Sequence, residues 1–120
     1  MDESIERFLV PGAYELAQVA QRVAETGRFA AVVCLGCLIR GETPHFDYIA
    51  QATAYGIMRA AQATGVPVTF GVLTTNTVEE AIARSVTGPA NKGREAAMAA
   101  VAMARLYSRL AGEVNEWDEP

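Results

Sequence analysis

The sequence predicts an α/β fold: a parallel sheet with helices on both faces. Three observations carry this. Apolar runs of strand length alternate with helical stripes along the chain, the pattern of βαβ units. Gly and Pro punctuate the junctions. Polar clusters recur just after the predicted strands, and open α/β sheets hold ligands beyond the carboxyl ends of their strands. The chain has 120 residues, of which 51% are hydrophobic. That is enough for a core and predicts one domain over residues 1–120.

Taken in order, Phe8-Leu9-Val10 reads as a short strand stopped by Pro11-Gly12. Residues 13–26 read as a helix, with Leu16, Val19, Ala20 and Val23 on one stripe and Gly27 as its stop. Residues 29–39 form one buried strand. Residues 43–64 form the next helix, with Phe46, Ile49, Ala50, Thr53, Ile57 and Ala60 or Ala61 inward and Pro44 in its first turn. After Gly65-Val66-Pro67, residues 68–73 are a third strand. Thr77 and Glu80 make a capping-box pattern for a short helix ending near Arg84. Residues 85–90 are a loop, and residues 92–111 an Ala-rich helix with Ala97, Val101, Ala104 and Leu110 near one face. Residues 112–120 are an acidic, frayed tail.

Bulk properties exclude several functions. The formal net charge is −4, which draws neither nucleic acid nor an anionic membrane. No apolar run is long enough to span a bilayer, and no secretion signal opens the chain. Cys34 and Cys37 have C-x-x-C spacing, but within a strand two such residues face opposite sides. Buried, reduced thiols are the expected reading, and they fit a cytoplasmic protein.

The chemistry centres on His45, the only histidine, at a predicted strand-to-helix junction. A histidine can give and take a proton near pH 7. The alternative is a surface or capping residue. Gly41-Glu42-Thr43 opens a helix, where N–H groups converge on an anion; ordinary N-capping by Thr43 explains the segment equally well. Arg84 and Lys92 are cations flanking the loop, or simply solvated surface charge. Glu15 is placed to accept bonds from a heterocycle's N–H groups, or is a first-turn glutamate favoured by the helix dipole. Phe70 is a stacking surface or core. Asp47, at the second position after His45, does not face it on a helix. There is no P-loop and no G-x-G-x-x-G, so a nucleotide is not the obvious ligand.

Together these segments resemble the lumazine synthase family. The resemblance rests on Val10-Pro11-Gly12-Ala13-Tyr14-Glu15, Gly36-Cys37-Leu38-Ile39-Arg40-Gly41-Glu42-Thr43-Pro44-His45-Phe46-Asp47-Tyr48, Gly65-Val66-Pro67-Val68-Thr69-Phe70-Gly71-Val72-Leu73-Thr74-Thr75, Glu80-Ala81-Ile82-Ala83-Arg84 and Asn91-Lys92-Gly93. It implies a three-layer flavodoxin-like fold and the penultimate reaction of riboflavin biosynthesis. In that reaction 5-amino-6-(D-ribitylamino)uracil condenses with 3,4-dihydroxy-2-butanone 4-phosphate to give 6,7-dimethyl-8-ribityllumazine and phosphate. By the same resemblance His45 is the proton-transfer residue. Arg84 holds the phosphate with the N–H groups of Glu42 and Thr43, and Lys92 supports that side. Ala13, Tyr14, Glu15, Cys37, Leu38 and Ile39 bind the ribitylaminouracil, and Phe70 lines the pocket from a neighbouring subunit. No metal or organic cofactor is implied. Family members are homo-oligomers, pentamers that in some cases pack into sixty-subunit capsids, with active sites between adjacent subunits.

Two departures from the family pattern stand out. Relatives carry a further strand and helix before the Val-Pro-Gly segment, including an aromatic residue that stacks on the uracil. The chain therefore reads as N-terminally truncated relative to the family: a fragment, a mis-started reading frame or one half of a split protein. The loop of residues 85–90 also lacks glycines that relatives place beside the phosphate. An impaired fragment, or a non-catalytic assembly or ligand-binding relative, is accordingly the alternative to an active transferase.

Overall fold

The computed structural model describes residues 4–112. Its elements alternate as the sequence predicts: a 3-10 turn Ala13–Glu15, helix α1 Leu16–Glu25, strand β1 Val32–Ile39, helix α2 His45–Thr64, strand β2 Val68–Thr75, helix α3 Val78–Ser85 and helix α4 Lys92–Leu110. Among the described residues β1 and β2 pair in parallel, from Val32 opposite Val68 to Ile39 opposite Thr75. The frayed tail predicted for residues 112–120 lies outside the described residues apart from Gly112.

Helices cover both faces. On one, Ala20 of α1, Ile57 of α2, Cys34 and Val72 form the buried core, with Leu16, Ala17, Val32, Leu38 and Val68 around them. Two glycines permit this approach. A Cβ on Gly36 would lie 3.3 Å from Leu16 Cδ1, and one on Gly56 only 2.7 Å from the Ala17 Cβ, so α1 and α2 meet almost backbone to backbone. On the other face the Thr69 hydroxyl donates to the Ala96 carbonyl of α4 at 2.9 Å. There a Cβ on Gly71 would lie 2.7 Å from Leu35 Cδ2 and 3.0 Å from the Ala96 Cβ.

Four expectations are corrected. Phe8-Leu9-Val10 is not a strand. Three residues offer too few ladder bonds to offset the entropy of ordering them. Instead Leu9 is 91% exposed, while Phe8 meets Phe29 edge-on at 6.2 Å and Glu6 pairs with Arg28 at 2.9 Å. The second predicted helix begins at His45 rather than Thr43. A residue before proline is disfavoured in helical geometry, so Pro44 keeps Thr43 out. β1 is not buried on both faces: its residues alternate, with Leu35, Cys37 and Ile39 exposed. Cys34 is therefore a buried thiol and Cys37 an exposed one. Finally, α4 turns Ala96 and Ala100 inward, leaving Ala97, Val101 and Leu110 exposed. A helix this rich in alanine is apolar nearly all round, so periodicity does not select a face.

Candidate active site

The carboxyl end of β1 leads directly into the candidate site. Ile39 ends the strand, and the Arg40 N–H donates to the Thr75 carbonyl at 2.9 Å, keeping the two strand ends in register. Residues 42 and 43 bend the chain ahead of Pro44. The Pro44 carbonyl accepts from the N–H groups of Asp47 at 3.0 Å and Tyr48 at 3.3 Å, which starts α2. No side chain caps this helix. Thr43 Oγ1 receives the His45 N–H at 3.4 Å, a local turn contact rather than an N-cap. His45 is thus the first residue of α2 and is exposed. Among the described residues the N–H groups of Glu42 and Thr43 have no partner within the chain. The turn therefore presents an imidazole beside two free donors and the positive end of a helix dipole of 20 residues.

Arg40 organises this turn, and reading the sequence did not identify it. Its guanidinium contacts the Asp47 carboxylate through two nitrogens, Nη1 to Oδ2 at 3.3 Å and Nη2 to Oδ1 at 3.1 Å. Its Nε donates to Asn76 Oδ1 at 3.0 Å. Its Cζ lies over the Phe46 ring, 4.7 Å from the centroid. The Asn76 N–H in turn donates to Glu80 at 2.9 Å; of the predicted capping box α3 keeps the Thr77 half, its hydroxyl accepting from the Glu80 N–H at 3.1 Å, while the Glu80 carboxylate reaches Asn76 rather than Thr77. Asp47 thus serves Arg40. The only signal in the sequence was an Arg after a strand and an Asp in the next helical turn; the Asn76 partner is 36 positions away.

Ala13, Tyr14 and Glu15 form the 3-10 turn ahead of α1. The buried Thr53 hydroxyl of α2 donates to the Ala13 carbonyl at 3.4 Å, which fixes this turn against the helix that His45 begins. Tyr14 is exposed, and the Glu15 carboxylate folds back over Gly12, where an added Cβ would lie 3.3 Å from Oε1. Cys37, Leu38 and Ile39 are the last three residues of β1. Leu38 faces the α1/α2 core, whereas Cys37 and Ile39 are exposed on the opposite face. Phe70 lies mid-sheet opposite Cys34. With Arg40, Phe46, Ala50, Gln51, Ala54, Thr74 and Asn76 it lines an open groove of about 450 Å³ beside α2.

Arg84 and Lys92 flank the loop between α3 and α4. Arg84, in the last turn of α3, has no hydrogen-bond or ion-pair partner among the described residues. Lys92, the first residue of α4, pairs with Glu95 at 3.3 Å. Asn91 holds the loop between them. Its side-chain N–H₂ donates to the carbonyls of Ser85 at 2.9 Å and Val86 at 3.0 Å, while its oxygen caps α4 through the Arg94 N–H at 2.8 Å. The loop takes its one positive φ, +126°, at Gly88, and neither Val86 nor Ala90 needs one. No hydrogen bond, ion pair or groove among those described joins Arg84 or Lys92 to His45, Glu42 or Thr43.

Residues 1–108 match the family model described as 6,7-dimethyl-8-ribityllumazine synthase. The chain is 51% identical over 108 residues to the 6,7-dimethyl-8-ribityllumazine synthase of Deinococcus radiodurans, an alignment covering 90% of this chain and 70% of that protein.

Proposed function

Because the chain belongs to the 6,7-dimethyl-8-ribityllumazine synthase family, we propose that it condenses 5-amino-6-(D-ribitylamino)uracil with 3,4-dihydroxy-2-butanone 4-phosphate through the β1–α2 turn. The product is 6,7-dimethyl-8-ribityllumazine, with phosphate and water released, and the enzyme is a transferase of riboflavin biosynthesis. The observation that carries the residue roles is His45 at the start of α2, beside the free N–H groups of Glu42 and Thr43.

In this reading the butanone phosphate lies with its phosphate on those two N–H groups and the helix N-terminus. Arg84, which has no competing partner, closes the phosphate from the other side, and Lys92 adds positive charge there. The uracil rests against the turn of Ala13, Tyr14 and Glu15 and the strand end of Cys37, Leu38 and Ile39, with the Glu15 carboxylate accepting from ring N–H groups. The 5-amino group attacks the ketone and one water leaves as the imine forms, phosphate is eliminated, and the ribitylamino nitrogen closes the ring on the remaining carbonyl with loss of a second water. Each step moves a proton, and His45 is the side chain placed to give and take it. Holding both substrates together supplies much of the rate, and the phosphate clamp stabilises the leaving charge.

The assembly is a homo-oligomer, a pentamer that can close into a capsid, with Phe70 lining the pocket of a neighbouring subunit. A site shared between copies also accounts for the lack of a hydrogen bond or ion pair between Arg84 and the β1–α2 turn among the described residues. The two thiols, both free, suit the reducing cytoplasm. The test is lumazine fluorescence from the two substrates. The chain should form product, and His45→Ala should lower kcat by roughly 100-fold or more while the oligomer persists. A well-folded oligomer that makes no product would instead be an assembly relative, and an unchanged kcat in His45→Ala would remove His45 from the mechanism.

A further inference from the structure

The Arg40 cluster is a built device for which the proposed mechanism has no use. The turn it spans carries the reacting groups yet has little to hold it: α2 lacks a side-chain cap, and Thr43 makes only the 3.4 Å contact to the His45 N–H. Arg40 supplies the missing constraint. It leaves β1 as the first residue after the strand and returns to Asp47, two residues beyond His45 in the same helical turn. Residues 40–47 are thereby closed into a loop by a forked ion pair, and the third contact, to Asn76, anchors that loop to the end of β2. Phe46, the residue immediately after His45, carries the same guanidinium over its ring. An exposed ion pair stabilises a fold little, and here both side chains are nearly half exposed. The cluster's weight therefore falls on geometry rather than on stability.

We propose that Arg40 is a positioning residue for His45: clamped by Asp47, Asn76 and the Phe46 ring, it fixes the start of α2, and with it the imidazole. The inference rests on the reading of His45 as the proton-transfer residue. Lysine cannot replace it, because an ammonium lacks the planar fork that reaches a carboxylate and an amide at once.

The test is a kinetic cycle on the full chain with Arg40→Met, Arg40→Lys, Asp47→Asn, His45→Ala and the pair Arg40→Met/His45→Ala. Arg40→Met should fold and assemble yet lose roughly 10- to 100-fold in kcat, the scale of a small misplacement of a reacting group. Asp47→Asn should fall in the same direction, Arg40→Lys should stay impaired, and KM for the uracil should barely change. In the His45→Ala background Arg40→Met should cost no further rate, because the group it positions is gone. Full loss in that background, unchanged kcat in Arg40→Met, or failure of that variant to fold would each overturn the proposal. An unchanged kcat in His45→Ala alone would instead overturn the reading beneath it. A spectroscopic readout runs in parallel. His45 is the only histidine, so histidine-labelled protein gives one imidazole signal per subunit. At fixed pH that signal must move in both Arg40→Met and Asp47→Asn, and a signal unmoved in either refutes the clamp whatever the rates do.

Discussion

The two faces of the sheet are built differently from the same two strands. Towards α1 and α2, Cys34 and Val72 meet Ala20 and Ile57 in a closed core, with Ile57 only 2% exposed. Towards α3 and α4, Leu35 remains 59% exposed, and among the described residues Leu73, still 8% exposed, is the one large apolar side chain buried there. Strand alternation delivers apolar residues to both faces alike. The helices make the difference: α2 brings a branched side chain into the core, whereas α4 approaches through Ala96 and Ala100. Small residues allow close contact, seen at Gly71, but they reach too little surface to close the face. Apolar area left open in this way suits a chain that assembles with its own copies.

Substitutions can break or sharpen that contrast. The largest effect is expected at Ile57. Ile57→Ala empties the closed face and should cost about 2–5 kcal/mol in denaturant unfolding; a cost below ~1 kcal/mol would mean the core repacks and the faces are equivalent. Gly71→Ala probes the one tight point of the open face. Its Cβ would meet the Cys34 carbonyl at 3.0 Å and the Ala96 Cβ at 3.0 Å, so about 1–3 kcal/mol is expected from overpacking. Leu35→Ala should cost about 0.5 kcal/mol in the dissociated chain, as exposed positions do. A larger cost that grows with protein concentration would show a second copy covering this face.

How much of this was legible depended on the range of the contacts. The α1 and α2 stripes were readable because Leu16, Ala20, Thr53 and Ile57 recur at helical spacing on elements with polar opposite faces. The Thr77 cap was readable because a cap acts within a few residues. The face of α4 was not, since alanine marks no side. Phe8-Leu9-Val10 satisfied strand composition, but a strand exists only through the chain beside it, which composition does not describe. In the candidate site the residue types at the β1–α2 turn stood out, His45 above all. The clamp of Arg40, Asp47 and Asn76 did not, because two of its three members are joined across the sheet rather than along the chain.

The smallest expected effect is also the most direct comparison, because Cys34 and Cys37 sit on one strand and face opposite ways. Burial pushes the Cys34 thiol up from 9.0 to about 11. At pH 8 only about one Cys34 in a thousand is then the reactive thiolate, and solvent barely reaches it. Cys37 is exposed. A thiol reagent at pH 8 should therefore modify one cysteine per chain quickly, identified as Cys37 by mass spectrometry, and the second only on unfolding. The same shift sets a stability window. The folded thiol holds its proton more tightly than the unfolded one, so this contribution is whole below pH 9.0 and is lost as pH rises from there through about 11. Cys34→Ala should flatten that alkaline loss, and Cys37→Ala should leave it in place. Equal labelling of both thiols in the folded protein would mean that the α1/α2 face opens as readily as the other, and the contrast between the faces would be lost.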